Sequence, residues 1–204
     1  MRLLRCGPDA VLVEVAGRDQ VLGLRAALRR AEPDGVGELI PAARTLLIRY
    51  DGNRWNGERI ESLLAELPAE YPEREESREQ VVPVRYDGAD IDEVAELSGL
   101  SAREVVQRHL ATEYTVAFCG FVPGFAYLTG LDPALRLPRR ETPRTQVPAG
   151  SVAIADEYTG VYPRSSPGGW RLIGRTDLPV WDLGRDPVTL LPPGTRVRFE
   201  EIRT

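Results

Sequence analysis

The sequence predicts an α+β chain: a small α+β N-terminal domain over residues 1–82, followed by a β-barrel-like C-terminal domain over residues 83–204. Three observations carry this expectation. Gly and Pro are unevenly spread, with 6 Pro and 9 Gly in residues 1–119 against 11 Pro and 10 Gly in the 85 residues from 120 onward. The first part holds apolar residues at helical spacing. From Tyr114 onward no helical stripe of useful length occurs, and short apolar runs alternate with Gly/Pro turns, as in a closed or nearly closed β structure.

Each element follows from its local pattern. Ala10–Val15 reads as a strand, and Asp19–Ala31 as a helix with Val21, Leu24, Ala27 and Leu28 on one face. Glu38–Ile40 and Thr45–Tyr50 read as two further strands. Asn56 is placed to cap a helix striped by Ile60, Leu63, Leu64 and Leu67 and stopped by Pro68. Glu70–Gln80 is rich in Glu and Arg and reads as a solvated linker. Val81–Tyr86 forms a strand ended by Asp87-Gly88, and helices follow at Ile91–Leu97 and Ala102–Ala111. The second opens with Ser101-x-x-Glu104, a capping box in which each end satisfies a free backbone donor. The expected later strands are Thr115–Phe118, Ser151–Ala155, Leu172–Gly174, Val188–Leu191 and Val197–Phe199.

Composition excludes several chemistries. All 26 basic residues are Arg, so a lysine-dependent phosphate loop, Schiff-base chemistry and lysine-anchored pyridoxal phosphate are out. A single His removes HExxH and His-rich metal sites, and no metal site is expected. Cys6 and Cys119 form no CxxC pair; this low cysteine use, without a signal peptide, points to a reducing, cytoplasmic setting. No apolar run approaches the length of a membrane span. A net charge of −5 gives no reason to expect a nucleic-acid partner.

Four groups of residues suit binding or catalysis. Phe121-Val-Pro-Gly-Phe-Ala-Tyr-Leu128 sets aromatics, Phe125 and Tyr127 among them, around a Pro123-Gly124 step that suits a type II turn. They serve either a ligand mouth or a plug for the barrel end. Arg136, Arg139, Arg140 and Arg144 lie in nine residues stiffened by Pro138 and Pro143, and guanidinium forks suit carboxylate or phosphate. The same arginines suit an exposed loop paired with Glu141 or solvent. Gly150-Ser151 and Ser165-Ser166-Pro-Gly168-Gly169-Trp170 are turns whose amides and hydroxyls can cradle an anion, or a bulge that seats the indole. His109, the sole imidazole, sits on the apolar side of its helix with Val105 and Val106, a position more often structural than catalytic. It also lies in the last turn, where the helix dipole favours the protonated ring.

Read in order, the series His109-x4-Tyr114, Gly120-Phe-x-Pro-Gly-Phe-x-Tyr-Leu128, Leu137-Pro-Arg, Thr142-Pro-Arg144, Val147-Pro-x-Gly-Ser-Val152 and Tyr162-Pro-x3-Ser-Pro-Gly-Gly-Trp170-x-Leu-Ile-Gly-Arg-Thr176 resembles the family of B-type 5-oxoprolinase subunits, also called allophanate hydrolase subunit 1 or KipI-like. The resemblance covers essentially the whole chain; Asp156–Thr159 departs from a stretch the family often writes with glycines. It implies a cyclophilin-like barrel for the C-terminal domain. It also implies a heteromer with a homologous C-type subunit and an A-type subunit, which opens 5-oxoproline to glutamate with ATP and Mg2+ used at the level of the complex. On that resemblance Arg139 and Arg144 bind the anion, and Ser151, Ser165, Ser166, Gly168 and Gly169 position developing charge. His109 orients or protonates, and Phe125, Tyr127 and Trp170 shape the pocket. The alternatives it implies are a regulator that inhibits a sensor histidine kinase and half of a urea carboxylase-type carboxyltransferase.

Overall fold

The computed structural model describes residues 1–67 and 78–202, which fall into two compact units divided between those stretches. Residues 70–77 of the charged linker therefore lie outside the described residues. A boundary at 82/83 would cut a strand that begins at Glu79 and pairs within the second unit.

The first unit is a four-stranded antiparallel sheet backed by two helices. Its strands are β1 (Arg2–Arg5), β2 (Ala10–Glu14), β3 (Val36–Pro41) and β4 (Thr45–Tyr50), in spatial order β1-β2-β4-β3. The helices are α1 (Arg18–Ala31) and α2 (Gly57–Glu66). Asn56 caps α2 as expected, its side chain accepting the Arg59 N–H at 2.9 Å. Alternation along the strands sends Val11, Val13, Leu46 and Ile48 into a core with Val21 and Leu28 of α1 and Ile60 and Leu64 of α2. β1 escaped the sequence reading because Arg-Leu-Leu-Arg is too short to show a period.

The second unit is a seven-stranded, nearly closed sheet. Its strands are β5 (Glu79–Val84), β6 (Tyr114–Cys119), β7 (Ala126–Thr129), β9 (Ser151–Ala155), β10 (Tyr158–Val161), β12 (Arg171–Arg175) and β13 (Arg196–Glu201). They run in the order β12-β9-β10-β7-β6-β13-β5. The two edges meet where Arg85 and Arg175 exchange backbone hydrogen bonds of 2.9 and 2.8 Å. β5 and β13 pair in parallel, while the other pairings in this sheet are antiparallel. A separate ribbon pairs β8 (Arg144–Val147) with β11 (Ser166–Gly168). Helices α3 (Ile91–Ser98) and α4 (Ala102–Leu110) contribute Val94, Ala95 and Val105 to the core that fills the sheet's concave side. The capping box at Ser101 forms in full. The run Val188–Leu191, expected as a strand, makes only an isolated bridge from Thr189 to Trp181, in a segment broken by prolines at 187, 192 and 193. No helix among the described residues is long and apolar enough to cross a membrane.

Candidate functional site

The site is built on the ribbon and the sheet surface beneath it. All five residues of β9 are buried, so both faces of this strand are covered. Val152 and Ile154 belong to the main core. Ala153 and Ala155 face a second apolar layer with Phe125, Tyr162, Trp170, Leu172 and Val147. Small alanines on β9 leave room there for aromatic rings, and the rings fill it edge to face. Phe125 meets Trp170 at 5.2 Å and Tyr162 at 5.1 Å, and Tyr127 meets Trp170 at 5.4 Å. Phe118 stacks on Tyr127 at 4.4 Å. The Pro123-Gly124 turn forms as expected, with Gly124 at φ 81° and the Phe125 N–H on the Val122 carbonyl at 3.0 Å. It buries Phe125 and leaves Phe121 60% exposed, so the turn both plugs the layer and presents a ring to solvent.

The ribbon collects most of the predicted residues. Arg144 on β8 lies opposite Gly168 on β11, and Ser166 lies opposite Val147. Gly168 presses on the Tyr162 hydroxyl so closely that a Cβ would stand 2.3 Å from it. No other residue fits that approach. Gly169 accepts the Arg140 N–H at 2.8 Å, and Ser165 accepts from the Gln146 side chain at 3.1 Å. Ser166 is buried with its hydroxyl unpartnered. Ser151, also buried, opens β9, its carbonyl accepting the Tyr162 N–H at 2.9 Å.

The arginines separate into two kinds, which sequence reasoning did not resolve. Arg144 forks onto Asp90 through bonds of 2.9 and 2.6 Å, and Arg140 joins the same carboxylate at 2.7 Å and Glu93 at 2.8 Å. Asp90 is 2% exposed and also accepts the Leu172 N–H at 2.7 Å, while its own N–H donates to the Leu172 carbonyl at 2.9 Å. Burial by itself would raise the Asp90 carboxyl. The hydrogen bonds from Arg144 and Leu172, with the charges of Arg144 and Arg140, outweigh it and hold the group below its usual range. Arg139, in contrast, meets Asp156 at 3.9 Å, hydrogen-bonds Tyr127 and keeps a side chain 59% exposed. It stands near Tyr127, whose hydroxyl burial raises while Arg139 opposes the rise. Arg139 is thus more accessible to a ligand than Arg140 and Arg144, as is the exposed Arg136, whose Nε–H donates to the Leu131 carbonyl at 3.3 Å.

His109 lies apart from this group. It is fully buried, with Tyr114 and Phe199 rings at 5.2 and 4.5 Å. Thr159 donates to the Ala153 carbonyl at 3.0 Å and so receives the His109 Nε2–H at 3.0 Å. Nδ1 accepts the Tyr86 hydroxyl at 2.8 Å. Burial pushes the imidazole down to about 3. The helix-end position expected to favour a charged ring is overruled by desolvation, and a ring with both nitrogens engaged and no exposed atom touches no substrate.

Asp90 and Glu93 are the site residues sequence reasoning missed. Nothing local to Asp90 reveals a guanidinium 54 positions away.

Residues 1–191 match the family described as the carboxyltransferase domain, subdomain C and D. The B-type 5-oxoprolinase subunit of Escherichia coli O157:H7 is 49% identical over 213 residues, covering 98% of this chain and 96% of the relative. The crystal structure of TTHA0988 superposes with a TM-score of 0.82 at 41% identity over 96% of this chain, which spans 40% of that longer chain. The Kluyveromyces lactis urea carboxylase shares the fold, with a TM-score of 0.80 at 21% identity over 98% of this chain and 22% of that one.

Proposed function

Because the chain belongs to the carboxyltransferase domain family, subdomain C and D, and matches a B-type 5-oxoprolinase subunit along nearly the whole of both sequences, we propose that it is the B-type subunit of a heteromeric ATP-dependent 5-oxoprolinase. The near-complete match to the Escherichia coli subunit is the observation that carries this reading. In it, 5-oxo-L-proline, ATP and water give L-glutamate, ADP and phosphate only when C-type and A-type subunits are present. The carboxyltransferase alternative draws on the description of the family and on sequence likeness to urea amidolyase, and the near-complete match to a 5-oxoprolinase subunit favours the main reading over it. We read the barrel as cyclophilin-like and the setting as cytoplasmic.

Within the complex, Arg139 takes the substrate carboxylate, using a guanidinium that stays largely exposed beside Tyr127 and meets Asp156 only at 3.9 Å. The exposed Ser165 hydroxyl offers a further hydrogen-bonding group. The aromatic layer under the ribbon excludes water from one side, and Gly168 seats the ribbon on Tyr162. Arg144 acts through Asp90 as a positioning residue for that ribbon. His109 supports the barrel without touching substrate. Among the described residues no three His, Cys, Asp or Glu converge to hold a metal ion; in this reading ATP and Mg2+ are used at the level of the complex.

The test is reconstitution with C-type and A-type subunits, following ATP-dependent glutamate release. Arg139→Ala is expected to raise KM for 5-oxoproline about tenfold or more, the size of a lost charge-assisted hydrogen bond. Absence of glutamate release by the wild-type complex overturns the function; an unchanged KM in the variant overturns the role of Arg139.

A further inference from the structure

The sheet of the first unit has a second face, opposite α1 and α2. Open antiparallel faces normally carry polar residues. Here the register sets one aliphatic residue from every strand in a single row: Leu4 opposite Leu12, Leu12 opposite Leu47, and Leu47 opposite Ile40. None of the four belongs to the core that α1 and α2 cover; Leu4, Leu12 and Leu47 are part-exposed and Ile40 is 39% exposed. A continuous apolar row across a whole sheet marks a surface that another body covers.

The charges beside the row say which body. On one side, two residues along each strand, lie Arg2, Glu14 and Thr45; on the other lie Ala10 and Arg49. A two-fold axis along the row lays each aliphatic side chain on its own counterpart in a second copy. The same rotation places Glu14 over Ala10 of that copy, offset in the sheet plane by one strand spacing of about 4.8 Å from its Arg49, across a gap of about 10 Å between sheets that the two long side chains can span. Two symmetric Glu14–Arg49 pairs then frame the apolar row, and no like charges are set face to face. Within one copy Glu14 has only a 3.9 Å contact with Arg44, whereas Arg49 holds Asp9 at 3.2 Å in a half-exposed pair, which Glu14 of the other copy joins or displaces. Aligned sheet-on-sheet packing is a common way to bury such faces. We infer that a second copy of this chain covers this face, forming a two-fold dimer through the row Leu4–Leu12–Leu47–Ile40 with Glu14 and Arg49 paired across it.

Sedimentation equilibrium of the full chain over a wide concentration range tests this. The wild type is expected to dimerise reversibly, and Leu47→Glu to weaken dimerisation about a hundredfold, since two carboxylates enter the interface centre. Glu14→Arg and Arg49→Glu are each expected to weaken it by about fivefold, and the double reversal to dimerise better than either single change. Both are exposed substitutions that keep the fold, so they decide the matter even if Leu47→Glu unfolds. A monomeric wild type at every concentration overturns the inference. So does a dimer indifferent to Leu47→Glu in a folded protein, or a double reversal no better than the singles. Protection of β1, β2 and β4 amides only when another subunit is added, with a monomeric wild type, assigns the face to that subunit and also overturns it.

Discussion

Replacing Asp90 with alanine removes one carboxylate and four hydrogen bonds at once: two from Arg144, one from Arg140 and one from the Leu172 N–H. Breaking a buried ion pair by deleting one partner costs about 3–5 kcal/mol when the remaining charge is sealed from water. Arg144 and Arg140 retain side-chain exposures of 26% and 29%, so water recovers part of that loss. The orphaned Leu172 N–H restores about 1 kcal/mol of cost, because it is a buried donor. The net expectation is about 2–4 kcal/mol, or a fall in Tm of roughly 8–15 °C for a unit of this size. Thermal and urea unfolding of Asp90→Ala against wild type measures it. Hydrogen exchange on β8 and β11 should show faster opening of the ribbon, because Asp90 is the carboxylate that ties Arg144 to β12. The same group sets an acid limit. Its folded pKa is depressed, so its stabilisation is present above the unfolded value of about 3.9 and is lost as pH falls through the lower folded value. A stability loss under 1 kcal/mol with unchanged ribbon exchange would refute this account of the network.

Three further outcomes are expected. His109 stays neutral when folded, with a pKa near 3, whereas the unfolded ring titrates near 6.5; stability should therefore fall by about 1.4 kcal/mol per pH unit below that point, and His109→Gln should flatten the slope between pH 5 and 6. Nitrogen NMR should report the Nε2–H tautomer throughout that range. Gly124→Ala meets both a positive φ of 81° and a Cβ 2.7 Å from Trp181, so urea unfolding should show a loss of about 1–3 kcal/mol. Ser166→Ala deletes a buried hydroxyl with no partner and should leave Tm unchanged or higher, whereas a marked fall would reveal a hydrogen bond at that oxygen.

The legible parts of this protein are those whose cause is short in sequence. The Ser101–Glu104 capping box, the Asn56 cap and the Pro123-Gly124 turn each lie within a few residues and each forms as read. Longer patterns also showed: α1, α2 and the turn-rich strands fall within a residue or two of their expected ends for most elements. β7, β8, β10 and β11 were passed over, since strands of three or four residues between Gly and Pro carry too few side chains to show alternation.

By itself the sequence determined the chemistry on offer: arginine as the sole basic side chain, one imidazole, aromatic turns, and Gly/Ser steps near residues 120–176. The motif order also placed the chain in its family. Tertiary structure decided which of those groups remain available. It buried His109 between Tyr86 and Thr159, fixed Arg144 on Asp90 and left Arg139 largely exposed. It likewise aligned Leu4, Leu12, Leu47 and Ile40, drawn from four separate strands, into one row. The physical reason is the same in each case. Desolvation, ion pairing and the alignment of a row depend on distances between residues far apart in the chain, and only the assembled sheets and their registers set those distances.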